Sequence, residues 1–186
     1  MIIRTSVAVM VFWLTLAGNV AAQTVVVTPP VNIPVSLIRQ DNDEWCWLAV
    51  AQMILQYRQG FSAAQCELIE RWDMFPSGEC CADLSLCRRF GGDLGELAAL
   101  LRSHGVLTRY GLPILPSALY SLIMSDLPVI ARLRTGEITH AVIIRGMRYE
   151  GRTAYVIIND PVRRRSYEMA YQDFAAGWLD SLVVLR

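Results

Sequence analysis

The hydrophobic pattern of this chain changes period once, at Pro128, and that change limits the fold more than any other feature. Before it, apolar residues recur at helical spacing. They do so from Trp45 to Tyr57, with Ala49, Val50, Met53 and Ile54 on one stripe, then from Ala63 to about Arg71, from Leu94 to His104 and from Pro116 to Met124. Gly60 is placed to end the first helix, Ser62 to cap the second, Asp93 to cap the third and Gly105 to end it. After Pro128 the segments are β-branched and strand-like: Val129–Leu133, Thr139–Arg148, Thr153–Asn159, Ser166–Met169 and Ser181–Leu185. Turns fall at Thr135-Gly136 and Glu150-Gly151. The expected class is α+β, a helical lobe followed by a sheet lobe. A length of 186 residues is enough for one domain, or two small lobes sharing one core.

The first segment reads as an address. Arg4 supplies a positive start, Ser6 to Ala17 is an apolar run, and Val20 and Ala22 precede a cleavage site after residue 22. The run is shorter than the ~20 residues that span a bilayer. The chain is therefore expected to be secreted or periplasmic, beginning near Gln23, in an oxidising compartment. Residues 23–37 read as an extended arm, with Pro29, Pro30 and Pro34 limiting ladder bonds, and residues 38–186 as the folded domain.

Composition removes several chemistries. The formal net charge is zero, so nothing electrostatic favours nucleic acid or an anionic membrane. All 17 basic residues are arginine, which excludes a lysine Schiff base and a P-loop lysine. His104 and His140 are the only histidines, too few for a three-histidine zinc site.

The cysteines divide unequally. Cys66, Cys80, Cys81 and Cys87 lie within 22 residues, in and beside the aperiodic loop Asp73 to Gly92, while Cys46 stands alone at the head of the first helix. An exported chain is expected to pair the four and leave Cys46 free. Adjacent Cys80 and Cys81 do not bridge each other, so the pairs are Cys66–Cys80 with Cys81–Cys87, or Cys66–Cys81 with Cys80–Cys87. A four-cysteine zinc site lacks its paired C-x2-C spacing and ranks below disulfides.

A buried structural thiol is the ordinary reading of a lone cysteine. At a helix N-terminus, however, unpaired N–H groups and the helix dipole favour the thiolate. A thiolate nucleophile needs a partner that holds and delivers a proton, which suits histidine. His104 is explained by its place at a helix C-terminus. His140 heads an apolar strand and needs another reason. Asp160 ends the next strand, about as far from the Glu150-Gly151 turn as His140, so a hairpin can set the two side by side; Asn159 could serve in its place. Gln40, six residues before Cys46, can supply a side-chain donor for an oxyanion beside the Cys46 backbone N–H.

Gln40, the step of six residues to Cys46, and Cys46-Trp47 opening a helix resemble the signature of papain-like cysteine proteases. The strings QDNDEWCWLAVAQMILQY and QCELIE, then THAVIIRGM and VIINDPV, are similar to the compact bacterial type. That type is related to the double-glycine leader peptidases of bacteriocin exporters and to papain-like effector proteases of plant pathogens. The resemblance runs from about Ile38 to the C-terminus. It implies a papain-like fold, a helical lobe on an antiparallel sheet lobe with the site between them, and Trp47 packed behind the site. It implies Cys46 as nucleophile, His140 as base then acid, Asp160 as orienter of His140 and Gln40 in the oxyanion hole. It implies a thioester acyl-enzyme with no cofactor and no metal, a protein or peptide substrate and a proteinaceous inhibitor as partners, and no stable membrane insertion after signal cleavage. The chain departs from the papain pattern in using aspartate where asparagine is usual, and Gln23 to Arg39 is short for an inhibitory prosegment.

Two other readings stand beside it, a cell-wall peptide amidase with a Cys–His site and a non-catalytic binding module on a protease fold. Arg163-Arg164-Arg165 reads as a solvated turn, or more weakly as a subsite for acidic residues. Tyr167, Tyr171, Phe174 and Trp178 read as core and capping of the sheet lobe.

Overall fold

The structure is a computed structural model that describes residues 28–61, 63–73, 79–87 and 92–186. The expected signal segment, the start of the arm, the Ser62 cap and parts of the cysteine loop lie outside the described residues.

Helix α1 (Cys46–Gln59) is the centre of the helical lobe, with Trp47, Leu48, Ala49, Val50, Ala51, Met53, Ile54 and Leu55 all buried. Burial this complete is what a helix between other helices and a sheet requires. Gly60 ends it in the left-handed region (φ 66°), where its N–H reaches the Gln56 carbonyl. Helices α2 (Gln65–Asp73) and α3 (Glu79–Ala82), with a short 3-10 turn at Leu84–Cys87, pack at one end. Helix α4 (Leu94–Ser103) begins with a reciprocal capping box. Asp93 Oδ1 accepts the N–H groups of Gly95 (2.7 Å) and Glu96 (2.9 Å), and Glu96 Oε2 accepts that of Asp93 (2.9 Å). Such a cap contributes about 1 kcal/mol. Helix α5 spans Pro116–Met124.

The strands are β1 (Val31–Asn32), β2 (Thr108–Gly111), β3 (Val129–Thr135), β4 (Ile138–Glu150), β5 (Thr153–Asn159), β6 (Tyr167–Ala170) and β7 (Trp178–Val184). They form one antiparallel sheet in the order β2-β7-β3-β4-β5-β6, with β1 beside β4. The β3–β4 and β4–β5 hairpins turn at Gly136 (φ 66°) and Gly151 (φ 56°), where a side chain would strain the backbone. The two-lobe order read from the sequence therefore holds, with two corrections. Strand β2 lies inside the helical two thirds, and helix α6 (Tyr171–Gly177) lies inside the strand-rich third. Strand β2 owes its pairing to β7, about 70 residues away, which local pattern does not carry.

The arm is built into the fold. Val31 and Asn32 pair with Met147 and Gly146, and Ile33 (2% exposed) and Val35 (3%) enter the core. Gly146 is needed there, because an added Cβ would lie within 2.9 Å of Ile157, Asn32 and the Val31 carbonyl. The four clustered cysteines form Cys66–Cys81 and Cys80–Cys87, with S–S distances of 2.03 and 2.05 Å, so they are not free as metal ligands. Cys46 is the free cysteine. Among the described residues no helix is long and apolar enough to cross a membrane.

Candidate active site

Cys46 opens α1, so its backbone N–H lies in the first turn, where the helix itself supplies no acceptor. Helix α1 packs on β4, which sets the Cys46 sulfur against the strand that carries His140. The N–H of Ala141 points at Cys46 Sγ from 3.5 Å. The Nε2 atom of His140 lies 2.7 Å from Asp160 Oδ1. Nδ1 is thereby left for a second partner, and His140 lines the same cleft as Cys46. Both partners are mostly withdrawn from water, with side chains 15% (His140) and 10% (Asp160) exposed.

Burial alone would lower the pKa of His140. The hydrogen bonds to Asp160 and Cys46, together with their charge, outweigh it and raise that pKa from 6.5 to about 9. For Asp160, burial acts to raise the pKa, but the bond and charge of His140, the Val162 N–H and Arg163 hold it below the usual carboxylate value. At neutral pH the arrangement therefore favours an imidazolium against the Asp160 carboxylate. The Val162 N–H reaches Asp160 Oδ1 at 3.0 Å, and the Tyr167 hydroxyl reaches Oδ2 at 3.4 Å. Tyr167, read from sequence as core, thus also touches the carboxylate. The pairing of Tyr167 with Ile158 across β6 and β5 brings it there.

Asn159 does not meet His140. Its Nδ2 donates to the Val35 carbonyl (2.8 Å), and its Oδ1 accepts from Arg145 Nε (3.1 Å) and Ser166 Oγ (2.5 Å). It is fully buried and its amide is spent on scaffolding. His104 caps the end of α4 and stacks near Phe61 at 5.5 Å. It takes no part in this site.

Gln40 is half-buried in the loop before α1. Its Nε2 donates to the Asn42 carbonyl (2.8 Å), leaving the second amide hydrogen uncommitted, and its backbone N–H reaches the Pro161 carbonyl (3.2 Å). The loop is held by Gln65, a residue 1% exposed. Gln65 donates to the Arg39 carbonyl (2.7 Å) and accepts the Asp41 N–H (3.0 Å), bracketing Gln40 on both sides. Sequence reasoning assigned Gln65 no role. Its partners come from 24 and 26 residues upstream, and within the largely polar α2 its polarity gave no hint of them.

Cys46 and His140 line a cleft of about 490 Å³, together with Asp43, Glu44, Gly92, Asp93 and Glu96 and with Ile138, Thr139 and Val162. Ile138 and Val162 are 68% and 56% exposed, an apolar lip beside His140. Trp47 is buried behind Gly92, whose position leaves no room for a side chain above the indole. Arg163, Arg164 and Arg165 are exposed in the turn beyond Asp160, and none lines the cleft. A second cavity of about 480 Å³, between β2, α5 and β7, shares no residue with it. Tyr171 and Phe174 pack against Trp178 (centroids 6.4 and 5.2 Å), as expected of sheet-lobe core.

This cleft sets a free thiol and an imidazole on one accessible surface. The sequence matches the family described as papain-like cysteine protease AvrRpt2 over residues 28–178. No curated protein matches it. Among solved structures, the fold is similar to one described as a C39-like peptidase from Bacillus anthracis (TM-score 0.61, 16% identity, covering 86% of this chain and 98% of that one). It is also similar to a double glycine motif protease from an AMS/PCAT transporter, solved with its leader peptide (TM-score 0.55, 18% identity, 83% and 96% covered). At these identities the likeness establishes the fold.

Proposed function

Because the chain belongs to the papain-like cysteine protease family of AvrRpt2 and is thereby a cysteine-type peptidase, we propose that it is an exported endopeptidase working through Cys46, His140 and Asp160. The carrying observation is the arrangement itself: an unpaired thiol at a helix head, 3.5 Å from the N–H of Ala141, whose strand neighbour His140 has Nε2 2.7 Å from the buried Asp160 carboxylate. In this reading the Cys46 thiolate adds to the scissile carbonyl carbon. The oxyanion takes the Cys46 backbone N–H and the second Nε2 hydrogen of Gln40. The His140 imidazolium then gives its proton to the departing amine, and a thioester forms. Water attacks the thioester while His140 removes its proton, which releases the acid and restores the thiolate–imidazolium pair. Asp160 keeps Nδ1 aimed at Cys46 and steadies the positive ring, the part an orienting carboxylate plays in a triad.

Export is supported by the two disulfides, which persist in oxidising compartments, and by the signal-like first 22 residues. A peptide substrate follows from the family, and the neighbour holding a leader peptide supports an extended peptide in the cleft. The test is hydrolysis of an unstructured protein, carboxymethylated casein, by the folded chain. Cys46→Ala and His140→Ala are expected to abolish turnover with the fold intact. Full activity in Cys46→Ala overturns the reading.

A further inference from the structure

The imidazole–carboxylate pair depends on a break in the β4–β5 ladder. From the turn outward, Glu150 pairs with Thr153, Met147 with Val156 and Gly146 with Ile157. Beyond Arg145 the register differs by one: Ile144 pairs with Ile158 and Ile143 with Asn159. Arg145 is the extra residue of a β-bulge. Side chains alternate between faces along a strand, and directly paired residues share a face. Carried one residue past β5, the observed register sets Asp160 opposite Val142. That is two residues from His140 on the same face, within reach. In an unbroken ladder Asp160 would lie opposite Ile143, on the other face from His140. Asn159 would then share the face of His140 but lie opposite Ile144, roughly 13 Å along the strand. Neither could hold the ring.

The side chain of Arg145 ties this bulge down. Its Nε donates to Asn159 Oδ1 (3.1 Å), and Nη1 donates to Asn32 Oδ1 (2.7 Å) and the Ile33 carbonyl (3.3 Å). Its own carbonyl accepts the Ile33 N–H at 2.7 Å. These acceptors are all neutral, so the guanidinium serves here as a fork of donors. The fork joins the bulge to the arm and to the residue that precedes Asp160.

We propose that the bulge at Arg145 decides which residue of the β5 end faces His140, and that Arg145 is the positioning residue that holds it. The inference rests on the catalytic reading above. It also gives a physical reason for aspartate, and not Asn159, as the orienter.

The test follows the rate of Cys46 alkylation by iodoacetamide against pH. In the parent chain the rate changes near pH 9, as His140 loses its proton. Cys46, Tyr167 and Arg163, the groups in contact with the pair, are left unaltered, as is the acidic lining of the cleft. Arg145→Val, a strand former able to enter the ladder, is expected to move that step down by a pH unit or more while circular dichroism stays native. Deleting Arg145 removes the extra residue but keeps Ile144 opposite Ile158, so the step is expected to stay within about 0.3 of the parent. A step unchanged in Arg145→Val, or moved as far by the deletion as by valine, overturns the proposal. Should the deletion not fold, the double variant Arg145→Val with Asp160→Ala decides. The proposal expects no fall beyond that of valine alone, and an additive fall overturns it. If the parent shows no step that His140→Ala removes, the catalytic reading itself has failed.

Discussion

Adding one methyl group at Gly92 tests whether the cleft wall is built as tightly as it appears. An ideal Cβ there would lie 2.4, 2.5 and 2.8 Å from three ring atoms of Trp47, Cδ2, Cε2 and Cγ. Ordinary carbon contacts are about 3.5–4.0 Å, so roughly an ångström of overlap must be relieved. The indole is rigid, buried and next to Cys46 on the first turn of α1, while Gly92 precedes the capped start of α4. Either movement alters the cleft. Overpacking of this kind costs about 1–3 kcal/mol. In a chain of this size that lowers Tm by about 2–12 °C. Displacing the thiol or the Gly92 wall by part of an ångström should also slow hydrolysis, by about tenfold. The assay pairs thermal unfolding with casein hydrolysis for Gly92→Ala, beside Gly111→Ala, where nothing lies within 4 Å of the added atom. The control should hold its Tm and rate. A Gly92→Ala protein within 1 °C and twofold of the parent would refute the packing argument.

Three further outcomes are expected. The rise of the His140 pKa from 6.5 to about 9 is worth on the order of 3 kcal/mol. The stability it supplies is full below about pH 6.5 and is lost as pH rises through about 9. Asp160→Asn keeps the shape but removes one anion, so the alkaline limit of kcat/KM should move down by a pH unit or more; superimposable profiles would contradict the pairing. Gln40→Ala should lower kcat by ~10²-fold with little change in KM, the scale for one oxyanion donor, as read by steady-state kinetics on a fluorogenic peptide. Gln65→Leu keeps the helix but frees Arg39 O and Asp41 N–H, and should lower kcat while leaving Cys46 open to alkylation; an unchanged kcat would remove Gln65 from the account.

The parts legible in the sequence were those with local causes. Asp93 with Glu96 spells its own capping box, Gly60 its own helix end, and Glu150-Gly151 the hairpin that joins β4 to β5. The odd count of cysteines isolated Cys46 before any geometry was known. What stayed hidden depends on distant partners. Strand β2 is four residues, formed by pairing with β7, and α6 is seven residues, under two full turns and too short for a helical period to show. The Arg145 bulge is invisible because Ala141 to Ile144 are apolar throughout, and a run without alternation carries no register. The sequence could name Asp160 but not show that it, and not Asn159, meets His140, nor choose between the two disulfide pairings.

The measurement that bears most directly on the central claim is intact mass and peptide mapping after treatment with an epoxide probe for cysteine peptidases. The account predicts one adduct, on Cys46, lost in His140→Ala, with Cys66–Cys81 and Cys80–Cys87 recovered as disulfide-linked peptides. An unmodified Cys46 that a small alkylating agent still reaches, or an adduct indifferent to His140, would contradict it.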